Sequence, residues 1–166
     1  PPPPRCSSGS ASDDDTDGEV PGRPMSGWLV ANLAATAVMV GFIWTIQLLS
    51  YPMMAAVPAD GFAAYEAVHA RRVATLLAVI APAEVVAAAG VALFVDDVPA
   101  WLSVGAGALL VAIWVSTALF FAPLHVRLGD GFDPVLHRRL VTTNWLRTAA
   151  WTARGAAAIA MIAIAT

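Results

Sequence analysis

The side chains best suited to form a ligand pocket in this chain are Gln47, Tyr51, His69, Arg72, His125, Asn144 and Arg147. Neutral imidazoles bind transition metals, which makes His69 and His125 the candidate metal ligands. Tyrosine, histidine and a carboxylate in series can pass a proton. An anionic or quinone-like ligand could rest against Arg72 and Arg147, with Tyr51 or Trp145 stacking on its ring. Each group also has a plainer use. An interfacial histidine can meet water or cap carbonyls, and Gln47 and Asn144 can hydrogen-bond between helices. His137 sits beside Arg138 and Arg139, where contact with lipid headgroups is the simplest role. The sequence has no CxxCH, no P-loop, no Rossmann glycine pattern, no GxSxG and no HExxH, so no motif fixes the chemistry.

A second polar group lies deeper. Glu84 and Arg154 fall in the middle of long apolar stretches. Counted from the arginine-rich ends of those stretches, they lie at depths of roughly 16 and 20 Å for a helical rise of about 1.5 Å per residue. A lone charge at such depth costs a few kcal/mol, so the two are expected to face each other, directly or through water, as a buried ion pair. Asn144, Arg147, Trp151 and Arg154 recur at helical spacing on one face, which must look inward. Pro82, just before Glu84, is a site for a bend. Gly90, Gly105, Gly107 and Gly155 would let helices approach closely around these groups.

The elements that position the polar residues follow from hydropathy. The 166 residues are 58% hydrophobic and only 13% charged, whereas soluble domains average about 25% charged. Mean hydropathy is +0.70. Four apolar stretches, at about 28–50, 73–95, 101–122 and 141–165, are each long enough to cross a hydrocarbon core of about 30 Å as a helix. Lipid offers no partner for backbone polar groups, so helices are required. The expected fold is all-α, a polytopic membrane protein built as a four-transmembrane-helix bundle in the lipid bilayer.

Asp96 to Ala100 make a tight hairpin between the second and third spans, with Pro99 opening the third. The other two connections are longer. Tyr51 to Arg72 should hold a short interfacial helix capped by Asp60, with Phe62, Tyr65, His69 and Arg72 on one side. Gly129-Asp130-Gly131 forms a turn in the last connection. Arg71, Arg72, Arg127, Arg138 and Arg139 all fall at the long-connection end, so that end is expected in the cytoplasm. Both termini would then lie on the outer side of a bacterial cytoplasmic (inner) membrane.

Residues 1–24, rich in Pro, Ser, Gly and Asp, read as a disordered or partner-bound acidic tail ahead of the transmembrane domain at 25–166. Met25 reads as an alternative start, and the residues before it as an extension, tag remnant or processed end. Cys6 is the sole cysteine, so these residues hold no internal disulfide. From Met25 onward seven acids balance seven arginines, and nothing points to nucleic-acid binding.

Ala122-Pro-Leu-His125, followed by Asn144-Trp-Leu-Arg147-Thr148, resembles the anthrone-oxygenase-like family of small four-helix bacterial integral membrane proteins, and His69 suits the same pattern. The chain departs from that family in placing Leu146 where a histidine is usual. The resemblance implies a four-helix membrane bundle and oxygenase-like chemistry. The sequence is compatible with three functional classes. One is a membrane oxidoreductase or oxygenase-like protein using a transition metal or quinone-like ligand. Another is a non-catalytic accessory subunit of a larger respiratory or photosynthetic type complex. The third is a proton or small-solute transporter.

Overall fold

The structure, a computed structural model, describes residues 27–166. The expectation for residues 1–24 lies outside the described residues. The described residues form four long helices: α1 Gly27–Met54, α2 Ala59–Phe94, α3 Ala100–Leu128 and α4 Pro134–Ala165. No strand occurs among the described residues. All four are long and apolar enough to cross a membrane. α1 packs along both α2 and α4, and α3 closes against α4 and α2. Leu93 and Leu146, 72% and 75% exposed, show what the outward faces offer. Such faces suit a lipid solvent, and the chain is a multi-pass membrane protein.

Hydropathy locates the spans but not the helix ends. At the hairpin end, helix and span limits agree within a residue. At the other end every helix runs on, to Met54, back to Ala59, to Leu128 and back to Pro134. The expected separate interfacial helix does not exist. It is the first part of α2, which continues for 36 residues, about 54 Å at 1.5 Å per residue. Between Gly61 and Pro82 no helix breaker occurs, and alanine-rich sequence gives the chain no reason to stop. Asp60 is not the cap. Pro58 holds that position, and Asp60 sits in the first turn. α2 also passes through Pro82 without interruption.

The last connection turns at Gly131, whose φ of 148° favours glycine. Asp133 then caps α4, its Oδ1 accepting from Val135 N at 2.8 Å and Leu136 N at 3.1 Å. The hairpin-end core gathers around Leu29, Val91 and Met161. There Gly90 lies under the Trp28 indole, and a Cβ at residue 90 would overlap that ring. Gly155 makes a close approach to Val40. At Gly105 and Gly107 a Cβ would meet nothing, so no close helix approach requires glycine there. Met39, Ile43, Leu110, Ile113 and Trp151 fill the middle of the bundle. Tyr51, Met54, Phe62 and Leu140 belong to the core of the extended end.

Candidate functional site

Two prolines shape the extended end. A proline inside a helix has no N–H, and its ring crowds the carbonyl four residues back. Pro52 and Pro123 would press on the carbonyls of Leu48 and Leu119. In both helices the preceding turn is widened to a π turn, Ile46–Ser50 in α1 and Thr117–Phe121 in α3. The backbone N–H of Tyr51 accordingly reaches Ile46 O, and that of Ala122 reaches Thr117 O. Each wide turn admits an extra residue and rotates the rest of its helix by about 100°. The residues re-aimed in this way include Tyr51 and His125. Single π turns inside α-helices are common at functional sites.

Tyr51 and His125 meet a third residue there. His125 Nδ1 lies 2.6 Å from Glu66 Oε1, and His125 Nε2 lies 3.3 Å from the Tyr51 hydroxyl. Glu66 is 1% exposed and Tyr51 2%. A carboxylate accepts, so Nδ1 carries the proton and Nε2 is free to accept from the tyrosine. The order carboxylate, imidazole, hydroxyl is the arrangement that lets a histidine take up a proton while the carboxylate steadies the cation. The second carboxylate oxygen, Oε2 of Glu66, is buried without a hydrogen-bond partner. His69 stands 5.9 Å from His125 between ring centroids and stacks on Tyr65. His137, expected at the headgroups, also has a partner within the chain: its Nε2 donates to the backbone carbonyl of Tyr51 at 2.8 Å. That carbonyl lies in the last turn of α1, where helical partners run out.

A cavity of about 400 Å³ opens beside this relay. Tyr51, Glu66, His69, Thr117, His125 and Arg147 are its polar lining, and Phe42, Ile46, Leu77 and Phe121 are among its apolar walls. Ala67 and Ala74 of α2 and Ala122 and Val126 of α3 also line it and are exposed, so its mouth lies between those helices. Of the seven residues expected at a pocket, four line it. Gln47 and Asn144 stand behind it. Asn144 Nδ2 donates to Gln47 Oε1 at 2.8 Å, and Gln47 Nε2 donates to Val141 O at 3.3 Å. Asn144 Oδ1 accepts from Arg147 Nη1 at 3.2 Å, while the guanidinium sits 4.5 Å from the Phe121 ring centroid. These two amides therefore position Arg147. Arg72 is exposed on α2 and does not line the cavity.

Glu66 escapes a reading of the sequence because a glutamate in a polar stretch looks solvated. The available signal is its spacing from Phe62, one turn earlier, which is buried too. The metal expectation for His69 and His125 does not fit this geometry. Both His125 nitrogens already have hydrogen-bond partners, and among the described residues no His, Cys, Asp and Glu are grouped to hold an ion.

Deeper in the bundle, Arg154 Nε lies 3.9 Å from Glu84 Oε1. The guanidinium is held elsewhere, by Ala106 O at 3.0 Å and Asn32 Oδ1 at 3.1 Å. Neither oxygen of Glu84 has a hydrogen bond, nor has Arg154 Nε or the nearby Thr36 Oγ1. Asn32, an isolated polar residue in an apolar span, is legible as an interior group, though nothing in its own segment assigns it to this pair. No family model, curated protein or solved structure matches the chain.

Proposed function

We propose that the chain is a small membrane oxidoreductase- or oxygenase-like protein that draws a quinone- or phenol-like amphiphile from the bilayer and moves a proton at its ring oxygen. One observation carries the reading: the Tyr51–His125–Glu66 relay faces a mostly apolar cavity whose mouth opens between α2 and α3. Apolar walls with a few convergent polar groups are what a small-molecule site requires. A ring hydroxyl would donate to the Tyr51 oxygen. As that proton passes to Tyr51, the Tyr51 proton passes to His125 Nε2, and Glu66 steadies the resulting imidazolium. An electron-rich phenolate is the form of such a ring that an oxidant attacks. The positive-inside distribution of arginines supports a cytoplasmic position for this end of the protein in an inner membrane. The likeness of Ala122–His125 and Asn144–Thr148 to anthrone-oxygenase-like proteins agrees with an aromatic ligand.

Binding of a short-chain benzohydroquinone to the purified chain tests the reading. Saturable binding is expected, weakened by Glu66→Gln and Tyr51→Phe and unchanged by Arg72→Gln. A chain that binds no hydroquinone, and that comigrates with a large membrane complex, would instead be an accessory subunit.

A further inference from the structure

Arg147 borders two cavities. Besides the pocket, it lines a second, more open groove of about 470 Å³ between α3 and α4, which also shares Phe121. Apart from two hydroxyls the rest of that groove is apolar, with Leu109, Ala112, Ile113 and Ala150 along it. Its two hydroxyls are occupied by backbone: Ser116 Oγ donates to Ile113 O and Thr143 Oγ1 to Arg139 O, both at 2.7 Å. The one polar group left to a ligand is the cation. Arg147 is only 8% exposed, its Nε has no partner, and neither described ion pair includes it. A buried cation without an anion is unfavourable and calls for one.

The groove also has the right depth. Counting back from Ala165 by about 20 residues, the span of a hydrocarbon core, reaches Trp145 and Leu146. Helical side chains lean toward the N-terminus of their helix, so the Arg147 guanidinium reaches toward headgroup level. Arg139 stands on the same side with its guanidinium 5.1 Å from the Phe120 ring, and Phe120 lines the groove. We propose that this groove binds one anionic phospholipid of the leaflet at the long-connection end. Its acyl chain would lie along Ala112, Ile113 and Ala150, and its phosphate would meet Arg147 and Arg139. Net charge selects the lipid, because a zwitterionic headgroup brings an ammonium toward the same two arginines.

The full chain would be reconstituted in vesicles of equal parts phosphatidylglycerol and phosphatidylcholine, extracted in mild detergent, and its retained lipid counted by native mass spectrometry. One phosphatidylglycerol per chain is expected, in clear excess over phosphatidylcholine. Arg139→Gln should lower that excess about fivefold, the worth of one arginine near an anionic surface. Ala112→Leu, on an exposed position where the larger side chain fills the groove, should displace the lipid. Both variants should bind hydroquinone as the parent does, so a failure of the pocket reading and a failure of this one are separable. Equal retention of the two lipids, or phosphatidylglycerol retention unchanged in both variants, overturns the proposal.

Discussion

The pair in the middle of the bundle gives the most quantitative prediction. At the observed 3.9 Å, two unit charges attract by about 4 kcal/mol in an effective dielectric constant of about 20. Both groups are almost fully buried, so removing one leaves the other uncompensated, at a cost of about 3–5 kcal/mol. The two single changes should not be equal. Glu84→Gln leaves Arg154 its bonds to Ala106 O and Asn32 Oδ1. Arg154→Gln leaves a carboxylate with only the Thr36 hydroxyl near it, and it strips those two acceptors of their donor. Arg154→Gln is therefore the more damaging, at the upper end of that range. The double variant should be far less damaged than the sum, with a coupling of about 2–4 kcal/mol. Unfolding of each variant by dodecyl sulfate titration in detergent micelles, followed by circular dichroism, gives the four stabilities needed. Additivity within about 0.5 kcal/mol, or singles that unfold like the parent, would refute the argument that these charges compensate each other.

Three further outcomes are expected. Glu66→Gln keeps the volume but removes the charge from the 2.6 Å contact to His125; a charge-assisted hydrogen bond is worth about 1.5–3 kcal/mol, so hydroquinone affinity should drop at least about tenfold in a fluorescence titration. Pro123→Ala restores the missing N–H, allows the π turn at Thr117–Phe121 to tighten, and rotates His125 away from Tyr51; affinity should fall while the thermal midpoint in detergent holds or rises. Gly90→Leu forces the Trp28 ring out of place and should destabilise the bundle by about 1–3 kcal/mol, with Trp28→Ala in the same chain recovering part of the loss.

How much of this is legible in the sequence depends on what each residue's neighbours along the chain can report. Lipid demands about 20 apolar residues per span, and that demand is written locally, so all four spans can be read. The extensions of the helices past the hydrocarbon cannot. Residues 59–72 are polar enough to fall below any hydropathy threshold, yet nothing in them disfavours a helix, and hydropathy measures the former alone. The π turns are likewise present only as Tyr51-Pro52 and Ala122-Pro123. A proline after a span reads as an end, and only the continuation of the helix beyond it turns the same residue into a wide turn. Gln47, Tyr51, His125, Asn144 and Arg147 are identifiable because polar side chains at helical spacing in apolar surroundings have few alternatives. Glu66 is not, because its burial comes from α3 lying across α2 rather than from its own segment. Arg72 shows the converse: its position two turns from Tyr65 suggests the pocket, but α2 carries it on the outer face.

The two polar centres are separated in a way that bears on function. Glu66 and Glu84 sit on the same helix, 18 residues apart, about 27 Å along its axis. Between them lies the apolar layer of Met39, Ile43, Leu110, Ile113 and Trp151. Among these only the Trp151 indole has a polar side-chain atom, and its N–H has no partner. Among the described residues no chain of side-chain hydrogen bonds therefore joins the pocket to the pair. Two groups so far apart with no shared partner should behave independently. Glu66→Gln and Glu84→Gln should then add in stability to within about 0.5 kcal/mol, and Glu84→Gln should leave hydroquinone affinity where it was. A coupling clearly larger than that would mean the layer transmits what its side chains give it no means to carry.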